Sequence, residues 1–232
     1  MILRVLAIFA IPALLVLSVF IALGFLWWPF WIIALPAAGF VVWLLNQRAG
    51  AAVVKNLDAR GLGALEGERI SNTVENLCLQ SGIDQPDLLI IDTPSCNLAA
   101  VSCGRDSALI TTTGMLETLG ALELEGVIAH GLSKLANGAS RYEVLAASTP
   151  MVTSMQRDWA REWGDGEAGV VKYDLSGVGL TRYPPGLRSA LELIDERPTE
   201  VAGAEALGTA WLVPPADQRI PLDHRIEVLW EL

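Results

Sequence analysis

The spacing of apolar residues divides the chain into two unlike parts. Residues 5–27 are apolar without a charged interruption, long enough to cross a bilayer core as a helix. Gly24-Phe25-Leu26-Trp27-Trp28-Pro29 breaks that run, and residues 30–45 form a second one. The pattern predicts a two-helix transmembrane hairpin over 1–48, its tryptophans at the membrane–water interface. A linker of small and charged residues, 49–63, follows. From residue 64 the periods become those of a globular domain reaching to 232. Helical spacing over 64–80 places Ile70, Val74, Leu77 and Cys78 on one face, ended by Ser81-Gly82. LLIID at 88–92, then 97–102 and 108–112, read as short strands, the last two joined by a polar turn at 104–107. A short helix over 114–119 leads into the most regular pattern of all, 123–138.

In that stretch Leu124, Val127, Ile128, Leu132 and Leu135 recur at the spacing of a single buried helical stripe. Glu123 and Glu125 suit the positive end of the helix dipole, and Asn137-Gly138 tolerates the left-handed turn that stops a helix. The helix carries one of the two histidines, His130. Beyond it, 139–162 has helical character but too many charges for a third membrane span, and 164–169 is an acidic loop. A helix follows Tyr183-Pro184-Pro185-Gly186 and ends before Pro198. Residues 199–208 read as loop, 211–215 as a short apolar segment, and the last helix carries Leu222, Ile226 and Leu229. The fold class expected is α+β: the hairpin, then a mostly helical domain with a small sheet.

Charge sharpens this division. The 232 residues include 26 acidic and 16 basic side chains, and of these only Arg4 lies within 1–46. The remainder carries about −11, which argues against nucleic acid or an anionic lipid surface as a partner of the globular part. The bilayer itself is the partner expected of the hairpin. Basic residues flank both of its outer ends, Arg4 on one side and Arg48, Lys55 and Arg60 on the other, and none lies in its turn. Both ends are therefore expected in the cytoplasm. Cys78, Cys96 and Cys103 show no C-x-x-C spacing and read as reduced thiols.

Around His130 the chain reads His130-Gly131-Leu132-Ser133-Lys134, where a zinc-protease helix reads H-E-x-x-H. Ser133 and Lys134 are helix neighbours pointing about 100° apart and cannot form a dyad. Cys96 and Cys103, in a turn and near a strand end, read as small buried or half-buried thiols and not as catalytic partners of His130. The order of the surrounding pieces (LLIID, Asn97-Leu98-Ala99-Ala100, ITTTGMLETL, ELEGVIAHGLSKLANG, then GVGLTRYPPGLRSALELI and PLDHRIEVLWEL) resembles the HtpX-type membrane zinc metallopeptidases, relatives of the prenyl-protein proteases. Similarity runs from about Leu62 to the C-terminus.

That resemblance implies a zincin-like domain over 64–232 in a bacterial-type inner membrane, and a substrate added as a strand along the sheet edge beside the metal helix. It also implies a degenerate site. The family's first ligand position is His130, its general base position is Gly131, its second ligand position is Lys134, and its third is Lys172 in Lys172-Tyr173-Asp174. A catalytic zinc needs three protein donors, and ammonium groups offer no lone pair. The expectation is a pseudo-site of His130, Lys134, Lys172 and Asp174 with no cofactor. Lys134 or Lys172 would pair with Asp174, or the lysines would reach solvent, or an anion would bind. His224 is expected as an exposed helix residue. The function expected is an inactive, membrane-anchored peptidase homologue acting as a protein-binding or structural subunit of a membrane complex. The alternative is a zinc endopeptidase with substitute ligands.

Overall fold

A computed structural model describes residues 14–19, 33–41, 43–44, 54–103, 106–138, 141–148, 155, 159, 166–215 and 221–232. In chain order the elements are β1 (Arg60–Gly61), α1 (Ala64–Ser81), β2 (Asp87–Ile91), β3 (Leu98–Cys103), β4 (Asp106–Thr112), α2 (Thr113–Thr118), α3 (Ala121–Asn137), α4 (Arg141–Ser148), α5 (Gly166–Thr181) and α6 (Pro184–Asp195). A 3-10 segment (Ala204–Ala210) and α7 (Leu222–Trp230) follow.

The four strands form one mixed sheet in the order β1-β2-β4-β3, with β2 parallel to β4 and the outer pairs antiparallel. Side chains alternate across a strand, so β3 feeds two cores. Leu98 and Ala100 join α1, α3 and α6 on one face, while Ala99 and Val101 join α4 and the 3-10 segment on the other. The apolar stripe of α3 thus lies against the sheet on one side and against α5 and α6 on the other. Both long helices end as their sequences require: Gly82 (φ 67°) closes α1 and Gly138 (φ 62°) closes α3 in the left-handed region.

Three segments differ from their sequence reading. Residues 164–169, expected as loop, include the first turn of α5. Residues 199–208, also expected as loop, overlap the 3-10 segment. The expected linker contains β1 at Arg60–Gly61, paired to Ile90 and Leu89, and Leu57 is buried. A two-residue strand has too few alternations to be read from a pattern; only its partner strand reveals it.

Residues 14–19 and 33–41 are helical. No helix among the described residues is long and apolar enough to cross a membrane. Most of the hairpin expected over 1–48 lies outside the described residues.

Candidate functional site

Helix α3 is buried along most of its length, and both His130 and Lys134 lie on it one turn apart. His130 is fully buried and Lys134 is 2% exposed. Helix α5 crosses at this point because Gly177 has no side chain: a Cβ there would sit 2.8 Å from the His130 backbone nitrogen. The buried stripe of α5 is Val170, Tyr173, Asp174, Gly177 and Val178. Close approach of the two helices brings Asp174 Oδ1 to 2.7 Å from His130 Nδ1. His130 Nε2 has no hydrogen-bond partner among the described residues.

The cation paired with Asp174 is neither lysine of the expected pseudo-site. It is Arg225 of α7, whose Nε donates to Asp174 Oδ2 at 2.7 Å and whose Nη2 donates to Oδ1 at 2.8 Å. The third guanidinium edge donates from Nη1 to the Leu212 carbonyl at 2.7 Å. Arg225 is 1% exposed. The sequence held a signal for it: Leu222, Arg225, Ile226 and Leu229 share one helical face, so a charge stood at a core position. His224, by contrast, is exposed on the other side.

Lys134 has a different partner. Its Nζ donates to the Trp211 carbonyl at 2.8 Å. Lys172 is exposed, with its Nζ 5.5 Å from the centroid of the Tyr173 ring. The structure therefore brings His130, Lys134 and Asp174 together and leaves Lys172 outside. The expected ion pair of Asp174 with a lysine is corrected to one with Arg225. On the buried face of α5 the residue one turn before Asp174 is Val170, which offers no donor atom.

Electrostatics follow from burial. Desolvation pushes the His130 imidazole from 6.5 down to about 4, only partly offset by the Asp174 carboxylate, so the ring is neutral at pH 7. Burial alone would raise the Asp174 carboxyl, but Arg225 and then His130 outweigh it and hold it well below the ordinary carboxylate range.

A dication does not fit these residues. One imidazole is present, Asp174 is engaged on both oxygens, and Lys134 and Arg225 bring two positive charges into the same interior. Among the described residues no three metal-ligating side chains cluster. The position of the missing general base is also filled. A Cβ on Gly131 would lie 2.8 Å from a methyl of Leu109 and 2.9 Å from one of Leu98, so the sheet's leucines occupy the volume where a glutamate would begin.

The sheet edge beside α3 is occupied as well. Trp211 forms an antiparallel bridge with Ala99 on β3, and the Leu212 N–H donates to the Leu98 carbonyl at 2.7 Å. Asn97 clamps the next residue, accepting from the Val213 N–H at 3.1 Å and donating to its carbonyl at 2.8 Å. The expected strand addition at this edge meets the chain's own backbone.

Fold and site together define an α+β domain built on a histidine-bearing core helix whose polar cluster closes on itself. Comparison with known proteins places it further. A protease HtpX homolog of Levilactobacillus brevis is 26% identical over 232 residues, covering 78% of this chain and 77% of the relative. One of Dictyoglomus thermophilum is 28% identical over 195 residues, 68% of this chain and 64% of the relative. One of Tropheryma whipplei is 32% identical over 142 residues, 59% of this chain and 48% of the relative. The chain is similar to these HtpX homologs over much of its length. It spans from about half to three quarters of the length of these relatives. No family model matches it.

Proposed function

We propose that this chain is a catalytically inactive, membrane-anchored peptidase homologue that serves as a protein-binding or structural subunit of a membrane complex. The observation that carries the reading is the buried ammonium of Lys134, hydrogen-bonded to a backbone carbonyl where the family's helix would present a second imidazole. Gly131 under two leucines and the bidentate Arg225–Asp174 pair support it. Membrane anchoring rests on the two apolar runs. It is supported by exposed apolar side chains at Leu14, Val19, Ile33, Phe40 and Trp43, which the globular domain does not cover. The basic residues outside the hairpin support a cytoplasmic location for both ends, in a bacterial-type inner membrane. Such a chain retains a folded domain and a bilayer anchor, which are sufficient for a subunit role.

One observation favours the alternative, a zinc endopeptidase with substitute ligands: the unpartnered Nε2 of His130. Metal content of the purified full chain, together with casein cleavage with and without chelator, separates the two. The inactive reading expects zinc far below one per chain and no chelator-sensitive cleavage. Stoichiometric zinc with cleavage abolished by chelator overturns it. A detergent pull-down with the hairpin alone and with the whole chain then tells which part recruits the partner.

A further inference from the structure

The sheet edge raises a question separate from metal chemistry, because a domain without zinc could still hold an open peptide groove. We infer that Trp211–Leu212–Val213 is an internal strand ligand that permanently fills the edge of β3, and that Lys134, Arg225 and Asn97 are the residues that hold it there. An extended peptide docks on an edge strand through backbone hydrogen bonds, with alternate side chains seated in pockets. The 211–213 segment supplies the backbone contacts from within, and its buried side chains fill both cores beside β3. Leu212 donates to Leu98 and Trp211 bridges Ala99. Trp211 enters the core on the Ala99 face of the sheet, while Leu212 and Val213 enter the core on the Leu98 face.

Three polar side chains then fix the register. Lys134 donates to the Trp211 carbonyl, Arg225 to the Leu212 carbonyl, and Asn97 brackets Val213. Two buried cations thus end on consecutive carbonyls of one short segment. Asn97 Nδ2 also donates to Thr199 at 2.9 Å and Trp211 Nε1 to Ala204 at 3.2 Å, tying the strand to the chain before it.

Permanence follows from burial. Trp211 and Leu212 are 0% exposed. Lifting the strand would expose three apolar side chains and strip partners from a buried ammonium, a buried guanidinium edge and a buried amide at once. A peptide from another protein would have to compensate for all of these. The edge is therefore closed to strand addition at Leu98 and Ala99, and a protein partner engages another surface.

Hydrogen exchange on the full chain in nanodiscs tests this, read at the Leu212 and Val213 amides against Val127–Leu132 of α3. Amides that open only with the whole domain exchange together. The expected result is exchange at 212 and 213 within about threefold of α3, unchanged by excess synthetic peptide GTAWLVPP copying 208–215. The variant Lys134→Met is expected to speed exchange at Leu212 by about tenfold or more while α3 holds, with Lys172→Met as the unaffected control. Exchange at 212 about a hundredfold faster than α3 in the unmodified chain overturns the inference, as does specific binding of the peptide. If Lys134→Met fails to fold, the unmodified chain decides alone. Neither readout depends on zinc content or cleavage.

Discussion

Two arginines in this molecule hold carboxylates with the same planar fork, and their surroundings make them unequal. Arg60 reaches Asp92 at 2.7 and 2.8 Å and Glu66 at 2.8 and 2.9 Å, tying β1 to α1 and to the residue that follows β2 from the surface. Arg225 reaches Asp174 at 2.7 and 2.8 Å inside the domain. The side chains of the first set are 25–62% exposed; those of the second are 1% exposed. The fork shifts titration the same way in both places: Arg60, with the Gly63 N–H, holds Glu66 down to about 2, and Asp92 and Asp174 are both held low. Water nevertheless solvates either half of the surface set if the other is removed. Inside the domain nothing replaces a lost partner. Distances alone therefore do not rank these interactions; the medium does.

The strongest way to break the comparison is to remove the buried carboxylate. Asp174→Ala leaves the Arg225 guanidinium buried and unpaired, and is expected to lower unfolding free energy by about 3–5 kcal/mol, a large share of a typical domain's stability. Chemical denaturation reads this directly. The double change Asp174→Leu with Arg225→Met is expected to cost less than Asp174→Ala alone, because it removes the buried charges together. A double variant weaker than the single one would mean that the pair does more than neutralise itself.

Acid sharpens the contrast. His130 is held near 4 in the folded chain and returns toward 6.5 when unfolded. Between those values the unfolded chain binds the extra proton, so the stability is complete above about 6.5 and drains as pH falls toward about 4. The loss approaches about 3 kcal/mol, read as denaturation midpoints across that window. Asp174, also held low, adds to the loss at still lower pH. His130→Phe is expected to flatten the slope between pH 6.5 and 4; an unchanged slope would assign it to other groups.

Lys134→Met takes the donor from the Trp211 carbonyl. It is expected to cost about 1–3 kcal/mol by the same denaturation measurement. Arg60→Ala stands last. Its carboxylates return to water, so the midpoint is expected to move less than for Asp174→Ala or Lys134→Met, and what difference remains should fade in high salt. A shift at Arg60 rivalling that at Asp174 would remove the distinction between the two forks.

Much of this fold was legible before any coordinates. The α3 stripe, the stops at Gly82 and Gly138, the three longer strands and α7 all rest on local rules, apolar period and turn chemistry, which a sequence carries on its face. The presence of His130 and the loss of donors at 131 and 134 were legible for the same reason, since residue type decides coordination chemistry. The resemblance to HtpX homologs was readable from the order of several motifs over more than half the chain.

Which residue pairs with which was decided elsewhere. Arg225 lies 51 residues from Asp174 and Lys134 lies 77 from the carbonyl it holds, separations across which no local pattern acts. Lys172 was assigned to the site by motif, yet helix α5 turns it outward and presents Val170 instead. The strand at 211–213 reads as an ordinary apolar segment; only the sheet edge beside it makes it a ligand. Composition and period set what each segment becomes, because those depend on neighbours along the chain. The closing of the cleft depends on burial and long-range contact, and only packing in three dimensions supplies them.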